Sequence, residues 1–192
     1  MRIISGKARG LRIQPPSGKG VRPTADRVKE SLFSMLGPVV DLTVIDLFAG
    51  TGALGLEALS RGAREVVFIE NNRRHMRLLQ ANLARLRKSL GDESGRADVI
   101  CMSAQRVPSA LARLQHAVDI VLADPPYRPA PGAFGAQDLL CSEAFSSWAG
   151  DALLVLEHAS DFSWPPASRW RMLKHRTYGN TTLTFCRNSS EY

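Results

Sequence analysis

The sequence predicts an α/β fold built on a doubly wound, mostly parallel sheet with a small amino-terminal extension. Two observations lead to this prediction. Short apolar segments of strand length alternate with segments of helical periodicity along the 192 residues, and two of the strands run into polar motifs, one rich in glycine and one in proline. Alternating strands and helices are typical of a parallel sheet covered by helices on both faces. The 44% hydrophobic content suffices for one full core.

The elements are predicted in order from apolar runs, caps and breakers. Thr24 can cap the first helix, which Gly37-Pro38 ends, and Pro108 is tolerated early in the fourth helix. The expected helices are about Thr24–Met35, Ala53–Ser60, Arg73–Lys88 and Gln105–Gln115. The expected strands are Thr43–Leu47, Glu65–Ile69, Ala97–Cys101, Val118–Ala123 and Ala152–Glu157, with a closing hairpin of Arg169–Thr177 and Thr181–Cys186.

A glycine-rich turn follows the first predicted strand. Gly50 and Gly52 allow positive φ and close approach of a ligand to the backbone, while Gly55 lets the next helix pack tightly on the sheet. The second strand is followed by Glu70, 18 residues after Gly52, where an acid can accept hydrogen bonds from two ribose hydroxyls. The pattern predicts a nucleoside cofactor. The same spacing fits NAD, so it leaves the identity of the cofactor open.

The motif Asp124-Pro125-Pro126-Tyr127 follows the fourth predicted strand. Its two prolines restrict the backbone, so the segment presents its carbonyls and side chains with little freedom to relax. Asp124 and a proline carbonyl can accept hydrogen bonds from an exocyclic amino group, and Tyr127 can stack on the base that carries it. The alternative is a Pro-Pro turn in which Tyr127 only packs. A doubly wound sheet would place cofactor and amine on opposite sides of one crevice.

Together the two motifs resemble the class I S-adenosylmethionine-dependent methyltransferases, which have a Rossmann-like, seven-stranded sheet. Asp124–Tyr127 is similar to the (Asp/Asn)-Pro-Pro-(Tyr/Phe) motif of the amino methyltransferases. The stretches Arg2–Gly6, Arg9-Gly10 and Val21–Phe33 further resemble the bacterial 16S rRNA (guanine-N2) methyltransferase family called RsmD. The resemblance implies S-adenosylmethionine as cofactor, methyl transfer to a guanine N2 amine, and 16S rRNA in the small subunit or its assembly intermediate as partner.

The resemblance also assigns cofactor-binding residues. Asp46, in the first strand, is expected near the methionine amino group, and the alternative is a helix-capping or loop carboxylate. Phe48 and Asn71 belong to the same predicted site. Many relatives of the fold place an acid after the third strand to bind adenine, whereas this chain has Ser103 and Ala104 there, which we predict to contact adenine.

The predicted catalytic residues are Asp124, Pro125, Pro126 and Tyr127. The methyl group is expected to pass directly from the sulfonium to guanine N2, with Asp124 as the acceptor where positive charge develops on nitrogen. Asp124 can also receive the released proton, either directly or through water. Tyr127 is expected to stack on a guanine extruded from an unpaired loop.

The amino terminus carries most of the net charge. Residues 1–30 hold eight basic side chains and two acidic ones, a net charge of +6 within a total of +7. Single-sign charge interleaved with glycine is typical of a surface that binds a polyanion, and the alternative is a solvated tail. We predict residues 1–23 to be an RNA-binding hairpin extension and residues 24–192 to be the methyltransferase domain. The predicted RNA-binding residues are Arg2, Lys7, Arg9, Arg12, Lys19 and Arg22.

Other features of the sequence argue against a membrane protein and against a metal site. No apolar stretch approaches the ~20 residues needed to cross a bilayer, so we expect a cytoplasmic protein. The three cysteines, expected as buried free thiols, and the four histidines show no metal-ligand spacing, so no metal is predicted. The alternatives that remain are methylation of adenine N6 or of a protein glutamine, an NAD-dependent oxidoreductase, and a noncatalytic RNA-binding protein.

Overall fold

The computed structural model describes residues 1–15 and 26–189, apart from the side chain of Asp92. The strands are β1 (Thr43–Leu47), β2 (Glu65–Glu70), β3 (Arg96–Cys101), β4 (Ile120–Ala123), β5 (Leu153–Ala159), β6 (Trp170–Tyr178) and β7 (Thr181–Asn188). The helices are α1 (Asp26–Leu36), α2 (Ala53–Ser60), α3 (Arg73–Leu90), α4 (Val107–Ala110), α5 (Ala136–Cys141) and α6 (Glu143–Ala149). The strands form a mixed sheet of order β3-β2-β1-β4-β5-β7-β6, which confirms the predicted seven-stranded α/β fold.

The chain divides into two units, of which the first is Met1–Met102. Its strands β1, β2 and β3 pair in parallel, with Thr43 opposite Glu65 and Glu65 opposite Arg96. Every residue of β1 is buried, as expected for a parallel strand covered on both faces. Gly55 explains how α2 comes so close to this sheet, because a Cβ there would collide with the Phe68 ring.

The second unit is Ser103–Tyr192. β4 and β5 are parallel, whereas β7 runs antiparallel to both β5 and β6. The turn between β6 and β7 has Gly179 in its first position with φ 58°, as a two-residue type II′ hairpin requires. The predicted closing hairpin is therefore confirmed, with its first strand shifted by one residue and its second strand two residues longer than expected.

Two local expectations are wrong, and two short helices were not predicted. The predicted helix Gln105–Gln115 is broken into 3-10 turns and the four-residue α4, because Leu111 leaves the helical region at φ −118° and ψ 39°. The short helices α5 and α6 had no sequence prediction. Of the three cysteines only Cys186 is buried, which raises its pKa to about 12, while Cys101, at the end of edge strand β3, is exposed and Cys141 is half-buried.

Within residues 1–15, the predicted amino-terminal hairpin is limited to one antiparallel bridge, between Arg2 and Arg12. The segment is nevertheless ordered, because Ile3 and Ile13 are buried. Gly6 has φ +84°, and a Cβ on it would collide with the Ser60 carbonyl group at the end of α2. The expected Thr24 cap and the boundary between residues 23 and 24 lie outside the described residues, so that domain division stays a prediction.

Candidate functional site

The glycine turn after β1 holds three residues in the left-handed region. Phe48 has φ 60°, Gly50 φ 56° and Gly52 φ 85°. Phe48 is the notable one, since a side chain with a Cβ adopts this conformation only where the surroundings enforce it. Hydrogen bonds from Ala49 N to Ile69 O (2.9 Å) and from Gly52 N to Ala49 O (2.7 Å) fix the turn. The predicted cofactor turn is thus a rigid, preformed loop.

The two glycines serve different purposes, which the sequence did not distinguish. A Cβ on Gly50 would meet only the Phe48 carbonyl oxygen, at 3.9 Å, so that side of the backbone is open to a ligand. A Cβ on Gly52 would press against Leu56 and Leu79 at 3.1 Å. A glycine is therefore needed at position 52 because a side chain would disturb the core and because φ is positive. Of the two glycines, it is Gly50 that leaves space for a ligand to approach the backbone.

Glu70 is buried at the end of β2, with 6% of its surface exposed. Its Oε2 accepts a hydrogen bond from Gly50 N at 2.7 Å, and its Oε1 accepts one from Asn72 N at 2.7 Å. The carboxylate thus ties the glycine turn to the start of α3. Each carboxylate oxygen can accept more than one hydrogen bond, so ribose hydroxyls can still bind there. The adjacent Asn71 is exposed.

Asp46 is buried and accepts a hydrogen bond at Oδ2 from Gly55 N, in the first turn of α2, at 2.8 Å. This contact is the helix-capping alternative considered for Asp46, and an anion is favourable at a helix amino terminus. Ser103 and Ala104 also have structural roles, because the Ser103 hydroxyl accepts from Gln105 N and Ala104 is buried. Contact of these three residues with a cofactor stays a prediction.

The predicted amine-binding motif Asp124–Tyr127, here called the acceptor motif, directly follows the buried strand β4. Asp124 and Tyr127 are half-buried, Pro125 is buried and Pro126 is exposed. The Tyr127 hydroxyl lies 3.1 Å from Glu157 Oε1, to which it donates, and 2.7 Å from Thr181 Oγ1. A hydroxyl has one proton, so Thr181 is the donor in the second bond. Burial raises the pKa of Tyr127 well above its usual value, with Glu157 and Asp124 also raising it and the Thr181 bond opposing them. The phenol stays neutral, and its ring is held at the hydroxyl end.

The sequence reasoning missed Glu157 and Thr181 as members of this site. Glu157 is buried in β5 and directly follows Leu156, which is paired with Ala123 of β4, the residue before Asp124. Its position after an apolar run, like that of Glu70 and Asp124, was the available signal. No sequence signal pointed to Thr181, since its role depends on how β7 pairs with β5.

Four of the six predicted RNA-binding residues fall in the described part of the chain. Arg2, Lys7, Arg9 and Arg12 are all exposed at the surface of the first unit. Two of them have acidic partners, with Arg2 Nε 3.7 Å from Asp26 and Lys7 Nζ 2.5 Å from Glu93. Exposed pairs of this kind contribute little stability and can exchange for phosphates. The other two predicted residues, Lys19 and Arg22, lie outside the described residues.

Residues 1–13 are held by a buried charge cluster, so a solvated tail is the wrong interpretation for them. Glu57, fully buried, accepts hydrogen bonds from Ile4 N at 2.8 Å and from Ser5 N at 2.9 Å. Lys29, also fully buried, lies 3.1 Å from Glu57 and donates to Arg2 O. Burial lowers the pKa of Lys29 and the Glu57 charge opposes that shift. Lys29 is one of the eight bases near the amino terminus, and its burial removes it from any phosphate-binding surface.

Asn82 links this segment to the glycine turn. Its side chain, in α3 and 2% exposed, accepts from Gln14 N at 2.9 Å and donates to Gln14 O at 3.1 Å. It also lies 3.1 Å from Thr51 O, in the glycine turn. Gln14 of the basic segment and Thr51 of the predicted cofactor turn therefore share one buried amide.

Two further properties concern ligands and membranes. Across residues 1–15 and 26–189, no three His, Cys, Asp or Glu side chains are grouped as a metal site would require. No helix in the same ranges is both long and apolar enough to span a membrane.

Solved structures define the class of the fold. The chain superimposes on the hypothetical protein TTHA0928 of Thermus thermophilus with a TM-score of 0.74 at 30% identity, over 97% of this chain and 99% of that one. It matches the rRNA methyltransferase aviRa of Streptomyces viridochromogenes with a TM-score of 0.63 over 91% and 89% of the two chains. At 18% identity the second likeness concerns the fold alone. The fold is that of the class I S-adenosylmethionine-dependent methyltransferases.

Sequence relatives define the family. The family model described as "Conserved hypothetical protein 95" matches residues 1–187. The ribosomal RNA small subunit methyltransferase D of Escherichia coli K12 is 45% identical over 129 residues, which are 67% of this chain and 61% of that protein. The Haemophilus influenzae Rd protein of the same name is 35% identical over 190 residues, 98% of this chain and 94% of that one. The chain belongs to this family, the RsmD family, which confirms the predicted family and S-adenosylmethionine as its cofactor.

Proposed function

We propose that this protein transfers a methyl group from S-adenosylmethionine to the exocyclic N2 amine of a guanine in 16S rRNA. The observation that carries the proposal is the Asp124–Tyr127 motif at the end of β4, with its tyrosine fixed by Glu157 and Thr181, in a chain whose residues 1–187 match the family. Two members of that family are named ribosomal RNA small subunit methyltransferase D. The predicted cytoplasmic location fits a ribosomal substrate.

The residues of the first unit fit the cofactor. Gly50 leaves open space beside a fixed turn, and the adjacent Glu70 presents a buried carboxylate to ribose hydroxyls. When bound, S-adenosylmethionine supplies a methyl group activated by the sulfonium charge. The part of this unit is to hold that group in one position, since orientation contributes much of the rate of a direct transfer.

The residues of the second unit handle the amine. A guanine amino group is a weak nucleophile because its lone pair is delocalised into the ring. Asp124 and a proline carbonyl accept hydrogen bonds from its two protons, which returns electron density to nitrogen. The nitrogen lone pair forms the new N–C bond while the bond from carbon to sulfur breaks and its electron pair stays on sulfur. Asp124 stabilises the positive charge on nitrogen, and one N–H proton leaves to Asp124 or to water.

Methylation of adenine N6 or of a protein glutamine would use the same kind of site, since all three acceptors are planar NH2 groups. The family relation favours ribosomal RNA over both. Family membership also argues against the NAD-dependent oxidoreductase. A noncatalytic RNA-binding protein would not need a fixed Tyr127 beside Asp124.

The test is methylation of small subunits purified from a strain that lacks this enzyme. The purified chain is incubated with S-adenosylmethionine and either the subunits or protein-free 16S rRNA, and the nucleosides are analysed by mass spectrometry. We expect N2-methylguanosine to appear at one site, and comparison of the two substrates identifies the preferred form. Appearance of N6-methyladenosine, or of methylated protein alone, would contradict the proposed acceptor.

A further inference from the structure

The hairpin of β6 and β7 carries charge of a single sign. Between Trp170 and Asn188 there are four basic side chains, Arg171, Lys174, Arg176 and Arg187, and no acidic one, a net charge of +4. β6 is at the edge of the sheet, and every residue from Arg171 to Thr177 is exposed. This second basic surface is far in sequence from the amino-terminal segment and was not predicted to bind RNA.

Strand register places part of this charge on the same face of the sheet as the acceptor motif. Arg176 is opposite Leu183, which is opposite Glu157 on β5. Tyr178 is likewise opposite Thr181. Residues opposite each other in antiparallel strands project from the same face, so Arg176 and Tyr178 share a face with the two residues that hold Tyr127. Two strand spacings, roughly 10 Å, separate β6 from β5, which is within reach of a nucleotide next to the target.

Two of these cations, Lys174 and Arg176, lie over aromatic rings. Lys174 Nζ lies 4.8 Å from the centre of the Phe185 ring, and the Arg176 guanidinium carbon lies 5.5 Å from the centre of the Tyr178 ring. Cation–π contacts of this kind restrict long side chains, and both cations are on exposed residues of β6. The half-buried Tyr178 ring can also stack on a base.

Charges on an edge strand can serve another purpose, which is to prevent pairing with a second sheet. That purpose does not require one sign of charge, and it is already served by the irregular register between Met172 and Lys174, since a bulge disrupts the edge ladder. It also fails to explain exposed apolar residues at the same place. Among the described residues, Met172 and Leu173 are two of three large hydrophobic side chains that are exposed, and the third is Val40.

We propose that Lys174, Arg176 and Tyr178 form a second RNA-binding surface, which binds the single-stranded rRNA segment next to the target guanine. The proposal rests on the proposed function. Lys174 and Arg176 bind phosphates, and Tyr178 stacks on a neighbouring base. The amino-terminal segment and this surface then bind different parts of one substrate.

The test compares two double variants with equal loss of charge. K174Q/R176Q removes the proposed phosphate contacts, while R85Q/K88Q removes two exposed cations of α3 and is the matched control. Binding to a full-length 16S rRNA transcript is measured by filter retention at several salt concentrations. For K174Q/R176Q we expect the log–log salt slope to fall by about 1.4 to 1.8, and the affinity in about 0.1 M salt to fall roughly tenfold or more. The KM for rRNA should rise while S-adenosylmethionine affinity is unchanged.

Tyr178→Leu keeps the charge and removes the ring, so it should weaken binding about fivefold or more without changing the salt slope. The variant K174R/R176K keeps both positive charges and should bind rRNA as the wild-type chain does. Equal slopes for K174Q/R176Q and R85Q/K88Q would show that net charge alone matters and would overturn this inference, leaving the proposed function intact. A wild-type chain that neither binds nor methylates 16S rRNA would overturn both.

Discussion

The buried polar side chains around the glycine turn and the amino-terminal segment have different partners from those around the acceptor motif. In the unit Met1–Met102, Asp46, Glu57, Glu70 and Asn82 hydrogen-bond mainly to backbone groups, and the result is a rigid glycine turn and an anchored amino-terminal segment. In the unit Ser103–Tyr192, Glu157 and Thr181 bond to a side chain, the Tyr127 hydroxyl of the acceptor motif.

This difference indicates a division of labour. Polar groups that fix backbone determine where ligands bind, so their loss should appear in the affinity for the cofactor or for RNA. Polar groups that fix a side chain beside the reacting amine should affect turnover. Substitutions in the two regions should therefore separate effects on binding from effects on chemistry.

The largest effect on turnover is expected for Asp124→Ala. Loss of one preorganised electrostatic contact should lower turnover by roughly 10²- to 10³-fold. S-adenosylmethionine affinity, measured by calorimetry, should stay unchanged because Asp124 is expected to act on the amine in the transition state. Asp161→Ala, which removes an exposed carboxylate after β5, is the control. Unchanged turnover in Asp124→Ala would remove this residue from the mechanism.

Neutralising the amino-terminal bases should act on RNA alone. The variant replaces Arg2, Lys7, Arg9, Arg12, Lys19 and Arg22 with glutamine. If about four of these residues bind phosphates, the log–log salt slope for rRNA binding should fall by roughly 3. Methyl transfer should fail at ordinary salt while S-adenosylmethionine still binds. Normal methylation with an unchanged salt slope would show that this segment is not the RNA-binding element.

Glu70→Gln should weaken cofactor binding. The amide cannot accept at both positions, so a backbone N–H of Gly50 or Asn72 loses its partner, and the ribose loses a charged acceptor. The loss of about 1.5 to 3 kcal/mol corresponds to roughly 10- to 150-fold weaker binding of S-adenosylmethionine. Turnover at saturating cofactor should change little. A large fall in turnover with normal affinity would contradict the proposed division between the units.

The smallest effect is expected for Thr181→Val. The substitution keeps the shape of the side chain and removes the hydroxyl that donates to Tyr127, a bond of about 1 kcal/mol, so turnover should fall roughly fivefold. Thr182→Val is a matched control, since the neighbouring hydroxyl bonds to Thr177 instead. Equal effects of the two variants on turnover would mean that the Tyr127 contact has no catalytic importance.

Local sequence signals predicted much of the fold. β1, β2 and β4 are apolar runs bounded by turn residues, and their predicted limits agree with the structure to within two residues. α5 and α6 had no such signal because helices of six and seven residues are stabilised mainly by burial, here of Leu139, Leu140, Phe145 and Trp148. The prediction of one continuous helix around Pro108 was wrong for a similar reason, since a periodic pattern does not show where tertiary packing bends the chain.

The sequence by itself determined the glycine turn, the Asp124–Tyr127 motif and the basic amino terminus, because each is a property of consecutive residues whose backbone restrictions and charges act locally. Only the tertiary structure decided which groups support them. Tyr127 meets Glu157 and Thr181, 30 and 54 residues away, through the pairing of β5 with β7, and Glu57 meets Ile4 through the packing of α2. Strand register and helix packing depend on the burial of the whole core, so no local pattern encodes these partners.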